Sequence, residues 1–147
     1  MATISAATDI DLAARLRLAV IRTARRLRQE AGTDLSPSLT AALATIDRHG
    51  PLSPSGLAEI ERVRRPTATR MVARLEDEGL VLRTADPADG RVSVVTASAA
   101  GRTLLKRIRG RKNAYLARRL RELPPDEVAD LERAAAILER LLEDERA

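Results

Sequence analysis

The 147-residue sequence has no cysteine, phenylalanine or tryptophan, a single tyrosine (Tyr115), a single histidine (His49) and only two lysines (Lys106 and Lys112). Without thiols there is no disulfide, no thiolate metal site, no cysteine nucleophile and no thiol redox sensor, and a cytoplasmic setting is expected. With one histidine, and with its carboxylates spread along helix surfaces, the chain offers no cluster of perturbable groups. It is therefore not expected to be an enzyme, to hold a metal or to need a cofactor. His49, beside Gly50, is expected to sit at a helix end rather than to do chemistry. Aromatic residues are 1% of the chain, so the core must be built from Leu, Val, Ile and Ala. No apolar run approaches the length of a membrane span, and MATISAATDID has neither the basic nor the apolar stretch of a secretory leader. A soluble chain is expected.

Charge, by contrast, is plentiful. Charged residues make up 32% of the sequence and the formal net charge is +5, and all but two of the cations are arginine. A planar guanidinium suits phosphates and guanine edges, so this balance points towards nucleic acid. GC-rich coding would produce the same Arg, Ala and Leu bias, and a solvated charged surface is the plainer alternative.

Punctuation divides the chain. Leu12, Leu16, Val20, Thr23 and Leu27 recur at helical spacing from about Asp9 and stop before Gly32. In LSPSLTAALATIDRHG, Ser36 reads as an N-cap and Pro37 as the first helical residue, with Leu39, Leu43 and Ile46 on one face and Gly50 as terminator. LSPSGLAEIERV repeats the device with Ser53 and Pro54, carrying Leu57 and Ile60. A third helix opens near Arg65 or Pro66 and ends at Gly79. Its Met71, Val72 and Leu75 are expected to bury, which leaves Thr67, Thr69, Arg70 and Arg74 to other faces.

Two short helices joined tightly, the second rich in Thr and Arg at its start, describe a helix-turn-helix. On such a helix Thr67 and Arg70 share a side and could present a hydroxyl and a guanidinium to base edges and phosphates. An amphipathic hairpin with a solvated face has the same pattern, but the next segment favours the first reading. LVLRT, the bend DPADGR and VSVVT form a β-hairpin, with Val92 and Val94 expected on one face. A loop beside a recognition helix can carry Arg91 to an adjacent minor groove. Asp89 is expected to shape that loop through a salt bridge to Arg70 or Arg74; Arg91 could instead be a solvated residue or a partner for Asp86 or Asp89.

Taken together, LAEIERVRRPTATRMVARLEDEGLVLRTADPADGR resembles the MarR family of winged-helix transcription regulators, and the likeness extends over nearly the whole chain. The resemblance implies a mainly α (α+β) fold with a small β-hairpin wing, flanked by N- and C-terminal dimerisation helices. It places Pro66, Thr67, Thr69 and Arg70 on a recognition helix, and Asp89 and Arg91 in the wing. With Arg65 and Arg74 these are the candidate DNA-binding residues. Ser98 matches the residue that caps the next helix. Three positions depart from the family pattern: Gly90 stands for a first wing arginine, Arg62 for the usual turn glycine, and Glu61 for an apolar residue that packs the turn.

Beyond Ser98, Leu104, Leu105, Ile108, Tyr115, Leu116 and Leu120 return at helical spacing, and Gly110 is expected to mark a bend or a close contact. A last helix opens at Pro125 with Asp126 and Glu127 in its first turn. Val128, Leu131, Ala135, Leu138 and Leu142 form one stripe along it, and Ala134, Ile137 and Leu141 a second. Such a face suits either an intramolecular bundle or, as the resemblance implies, the first helix of a second subunit. The expected organisation is one domain over 1–147, with 36–96 the winged helix-turn-helix and 9–31 and 98–145 the dimerisation helices. The resemblance further implies a homodimeric, ligand-responsive repressor on a pseudo-palindromic operator in double-stranded DNA, with a ligand crevice between the dimerisation helices and the winged region. A small anionic or apolar effector is left once thiol and zinc sensing are set aside, with lining residues between Leu12 and Leu27 and between Ile108 and Tyr115. A module that binds nucleic acid without sequence preference, or docks a protein, is the alternative.

Overall fold

The computed structural model describes residues 6–143, so the last two residues of the expected 98–145 segment lie outside the described residues. Six helices and one hairpin follow in the order α1 (Ala6–Ala31), α2 (Pro37–His49), α3 (Pro54–Glu61), α4 (Arg65–Asp77), β1 (Val81–Ala85), β2 (Ser93–Ala97), α5 (Ala99–Leu120) and α6 (Pro125–Glu143). α1 begins three residues before the expected Asp9.

Serine starts three of these helices by one mechanism. Ser36, Ser53 and Ser98 are all extended, and their hydroxyls accept from the backbone N–H groups of Leu39 (3.2 Å), Gly56 (3.0 Å) and Gly101 (3.0 Å). Each satisfies an N–H that the helix cannot. At the end of α4, Gly79 takes φ +71°. The Leu80 N–H then reaches the Leu75 carbonyl and the Gly79 N–H that of Glu76, both at 2.9 Å, which turns the chain directly into β1.

α2, α3, α4, the hairpin and the start of α5 enclose one aliphatic core, with Leu43, Ile46, Leu57, Val72, Leu75, Val81, Val95 and Leu105 fully buried. The strands are antiparallel, pairing Val81 with Ala97, Arg83 with Val95 and Ala85 with Ser93. Leu52 adds a bridge on the other edge of β2, exchanging both backbone hydrogen bonds with Val95 at 3.0 and 2.8 Å. Of the two valines expected on one face, only Val94 belongs to the strand and is buried. Val92 precedes the strand and is exposed, while the consecutive Val94 and Val95 are both buried. β2 lies against α2, α3 and α5, so both of its faces are covered.

α5 is tied down at its start and near its middle. The Ser98 hydroxyl donates to the Gly79 carbonyl (2.6 Å) and the Ser98 N–H to that of Leu80 (2.9 Å). Just past the helix's midpoint Arg111 donates to the carbonyls of Ala31 and Gly32, each at 3.1 Å, and so ties α5 to the end of α1. Gly101 sits so near Leu80 that a Cβ would collide with the Leu80 carbonyl. Gly110 is neither the bend nor the close contact expected: α5 continues through it, and a Cβ there would meet nothing within 4 Å.

α6 buries none of its residues. Leu131, Ile137, Leu138, Leu141 and Leu142 are exposed, as are Ile10, Leu12, Leu16, Leu18, Val20 and Ile21 of α1. Within one chain, therefore, the double apolar stripe of α6 does not close a bundle.

The two α5 glycines should answer the same substitution with opposite signs. Gly110→Ala should stabilise by about 0.8 to 1 kcal/mol, the helix-propensity difference. Gly101→Ala should destabilise by roughly 1 to 3 kcal/mol through forced backbone displacement. Urea midpoints of the two variants against the parent read both values.

Candidate nucleic-acid interface

α4 is held by a narrow inner stripe. Ala68, Val72 and Leu75, spaced at i, i+4 and i+7, have no exposed surface, and Met71 is half-buried beside them. The spacing turns most of the remaining positions outward. Arg65, Pro66, Thr69, Arg70 and Arg74 are accordingly exposed, as expected, whereas Thr67 is half-buried. Thr67 still serves that face, because its hydroxyl accepts from the Arg70 guanidinium at 3.4 Å. Arg74 is paired with Glu78 one turn on, at 3.1 Å.

The first turn of α4 contains no acidic residue, and its N-cap, Arg64, makes no side-chain cap hydrogen bond. Unsatisfied N–H groups and the helix dipole thus face the same way as a group of cations. Arg62, Arg64, Arg65 and Arg70 take part in no ion pair among the described residues. Arg62 and Arg64 were not among the candidates; the run RVRRP was their signal.

The turn itself keeps its shape without glycine. Arg62 adopts the left-handed conformation (φ +53°, ψ +45°) at the end of α3, and its N–H and that of Val63 both donate to Ala58. Holding a side chain there costs on the order of 1 kcal/mol. Glu61, in the place of an apolar packing residue, accepts a hydrogen bond from the Thr45 hydroxyl of α2, so a polar pair closes the α2–α3 contact. Ile60 points outward and is exposed.

In the hairpin bend Asp86 and Asp89 each fold back on the chain, accepting from the N–H groups of Ala88 (2.9 Å) and Arg91 (3.1 Å). The side chain of Arg91 is 95% exposed and lies 3.6 Å from Asp89. The salt bridge expected from Asp89 to Arg70 or Arg74 is absent; Asp89 is spent on its own loop, and Arg74 on Glu78. At the hairpin's stem Arg83 donates to Glu76 of α4 (2.8 Å) and to Ser93 of β2 (3.3 Å). Nothing in the sequence singled Arg83 out, because both partnerships depend on strand register.

A crevice of about 500 Å³ opens between α1, α2 and α5. Leu27, Ile108 and Lys112 lie within the ranges expected to line it, but Leu12, Leu16, Val20 and Tyr115 do not reach it, and the wall on the side of the winged region comes from Pro37, Thr40, Ala41 and Ala44 of α2, which were not among the expected lining residues. Tyr115 instead lies between Arg26 and Arg118, whose guanidiniums are 5.4 and 5.6 Å from its ring centre.

Residues 35–93 match the sequence profile of the MarR family. Over 139 residues the chain is 41% identical to an HTH-type transcriptional regulator of Mycobacterium tuberculosis, covering 94% of this chain and 96% of that protein. It is similar to a transcriptional regulator of Pseudomonas aeruginosa solved by crystallography, with 37% identity, a TM-score of 0.83, and 91% and 95% of the two chains covered. At 18% identity it shares the fold of a Staphylococcus aureus MepR variant solved with a bound oligodeoxyribonucleotide, with a TM-score of 0.68 and 90% and 96% covered.

Because the Thr45–Glu61 pair closes the α2–α3 contact, Thr45→Val should destabilise by about 1 to 2 kcal/mol, leaving a half-buried carboxylate without its donor. The double variant Thr45→Val/Glu61→Leu should return most of that loss. A double-mutant cycle from urea unfolding checks both values.

Proposed function

The chain belongs to the MarR family of transcriptional regulators, and from that premise we propose that it is a sequence-specific repressor that binds a pseudo-palindromic operator as a homodimer in the cytoplasm. The observation that carries this reading is the outer face of α4: Thr and Arg side chains at an uncapped helix start with no acidic residue in the first turn, next to a hairpin that projects Arg91. Such a helix fits the major groove and such a loop the flanking minor groove.

Within that reading the residues divide by what they touch. Arg70, oriented by Thr67, reaches a base edge. Arg65, Arg74 and Thr67 address phosphates, Pro66 and Thr69 line the groove, and Asp89 shapes the loop that presents Arg91. Two such units need a rigid spacer. The exposed apolar faces of α1 and α6 supply it by packing against those of a second copy, which sets the recognition helices one DNA turn, roughly 34 Å, apart.

Selection from randomised duplexes tests the function: enrichment of one inverted-repeat site by on the order of 10³ or more over random DNA is expected. Absence of any preferred site would instead identify a module that binds without sequence preference. Arg70→Ala should weaken binding by about 1 to 3 kcal/mol and relax specificity at one position of each half-site. A chain ending at Leu123 should sediment as a monomer and lose tight binding, whereas a truncated dimer would assign the interface elsewhere.

The crevice is the place for the effector. Leu27, Ala31, Leu35, Ala44, Leu105 and Ile108 give it aliphatic walls, while among the described residues Arg28, Arg109 and Lys112 are its charged lining residues. That combination favours a flexible aliphatic carboxylate. In a straight-chain series, calorimetry should show each added methylene tightening binding about fourfold until the crevice is full, and the matching alcohols should bind more weakly. A flat series, or tighter binding of the alcohols, would contradict this ligand class.

A further inference from the structure

We propose that Arg83 is a positioning residue for DNA reading: it fixes the wing relative to the recognition helix, and so decides where Arg91 meets the DNA. A two-stranded hairpin has little rigidity of its own. The stem of this one is anchored through β2, where Val94 and Val95 are buried and Leu52 bridges Val95, the cross-strand partner of Arg83. β1, by contrast, is exposed at every position from Leu82 to Ala85. There, among the described residues, one side chain joins the hairpin to α4 by a polar contact. The Arg83 Nε donates to the Glu76 carboxylate at 2.8 Å, and one of its terminal nitrogens donates to the Ser93 hydroxyl at 3.3 Å.

The guanidinium thus spans three elements: the strand entering the wing, the strand leaving it and the last turn of the recognition helix. Its rigid fork suits two fixed acceptors. At 38% and 40% side-chain exposure, the Arg83–Glu76 pair adds little to stability. Its consequence is geometric. Arg70 and Arg91 lie on different elements, and Arg83 joins those elements beyond the covalent turn at Gly79. A wing released from α4 would still carry Arg91, but would spread it over many positions and lose the benefit of a fixed contact.

This inference rests on the wing reading above, and the test separates the two. The probe is the most enriched selected duplex, with A·T-rich or G·C-rich flanks outside its half-sites, titrated at several salt concentrations. Arg91→Ala should abolish the preference for A·T-rich flanks and make the slope of log K against log salt shallower by about 2, one phosphate contact for each of two wings. Arg83→Met should reproduce both effects with a melting shift of no more than about 5 °C. Adding Arg83→Met to Arg91→Ala should change affinity by no more than about twofold. Arg83→Lys, which keeps the charge but not the fork, should recover part of the flank preference.

Glu76→Gln separates positioning from direct contact. If Arg83 positions, removing its carboxylate partner lowers the flank preference as Arg83→Met does. If Arg83 itself touches phosphate, removing a nearby negative charge tightens binding instead, and the Arg83→Met and Arg91→Ala losses multiply in full. That result, or a silent Arg83→Met beside a damaging Arg91→Ala, would overturn the proposal. A silent Arg91→Ala would remove the wing reading itself, and this proposal with it.

Discussion

The outer face of α4, the proposed DNA-reading surface, depends on three side chains being inside. Ala68, Val72 and Leu75 anchor α4, and none has any exposed surface. Because that stripe is narrow and its first member is alanine, the helix lies close to its neighbours and keeps most of its circumference for polar residues. In a core without phenylalanine or tryptophan, such contacts come only from short aliphatic side chains fitted closely together. A larger residue at position 68 would push away the turn where Arg64, Arg65 and Pro66 begin the helix.

α5 connects what α4 and the wing do to the rest of the molecule. It starts at the base of the hairpin, where Ser98 holds the carbonyl of Gly79 and Gly101 admits Leu80, and it ends beyond Arg111, which grips the last carbonyls of α1. The crevice lies along the same helix, at Leu105, Ile108, Arg109 and Lys112. In the proposed function, a ligand seated there would touch both the helix that follows the wing and α1, whose exposed apolar face would meet a second copy. Coupling of such a ligand to DNA would then need only a small displacement of one packed helix, since close-packed cores pass on such shifts rather than absorb them.

Much of this was legible in local chemistry. Ser36-Pro37, Ser53-Pro54 and Gly79 mark helix ends because the backbone groups they satisfy are within a few residues. The bend at Asp86–Arg91 is legible for the same reason. Long-range partnerships were not. Asp89 folds onto its own loop rather than reaching Arg70 or Arg74; Arg83 meets Glu76 only because the register brings them together; and α2 lines the crevice although nothing in its pattern says so. Arg62 shows how far context overrides propensity, holding a left-handed turn where glycine would be at ease. For a glycine at position 110 the structure offers no physical account.

In the proposed assembly two copies hold two α4 helices and two wings on one duplex in a fixed frame. Hydroxyl-radical footprinting of the complex on its selected site tests it most directly, because it reads the minor groove and backbone on both strands. A two-fold symmetric pattern is expected: two protected backbone segments centred about one helical turn apart, each with an outer minor-groove protection that disappears in Arg91→Ala. A single protected patch, or an asymmetric footprint without flanking minor-groove protection, would contradict it.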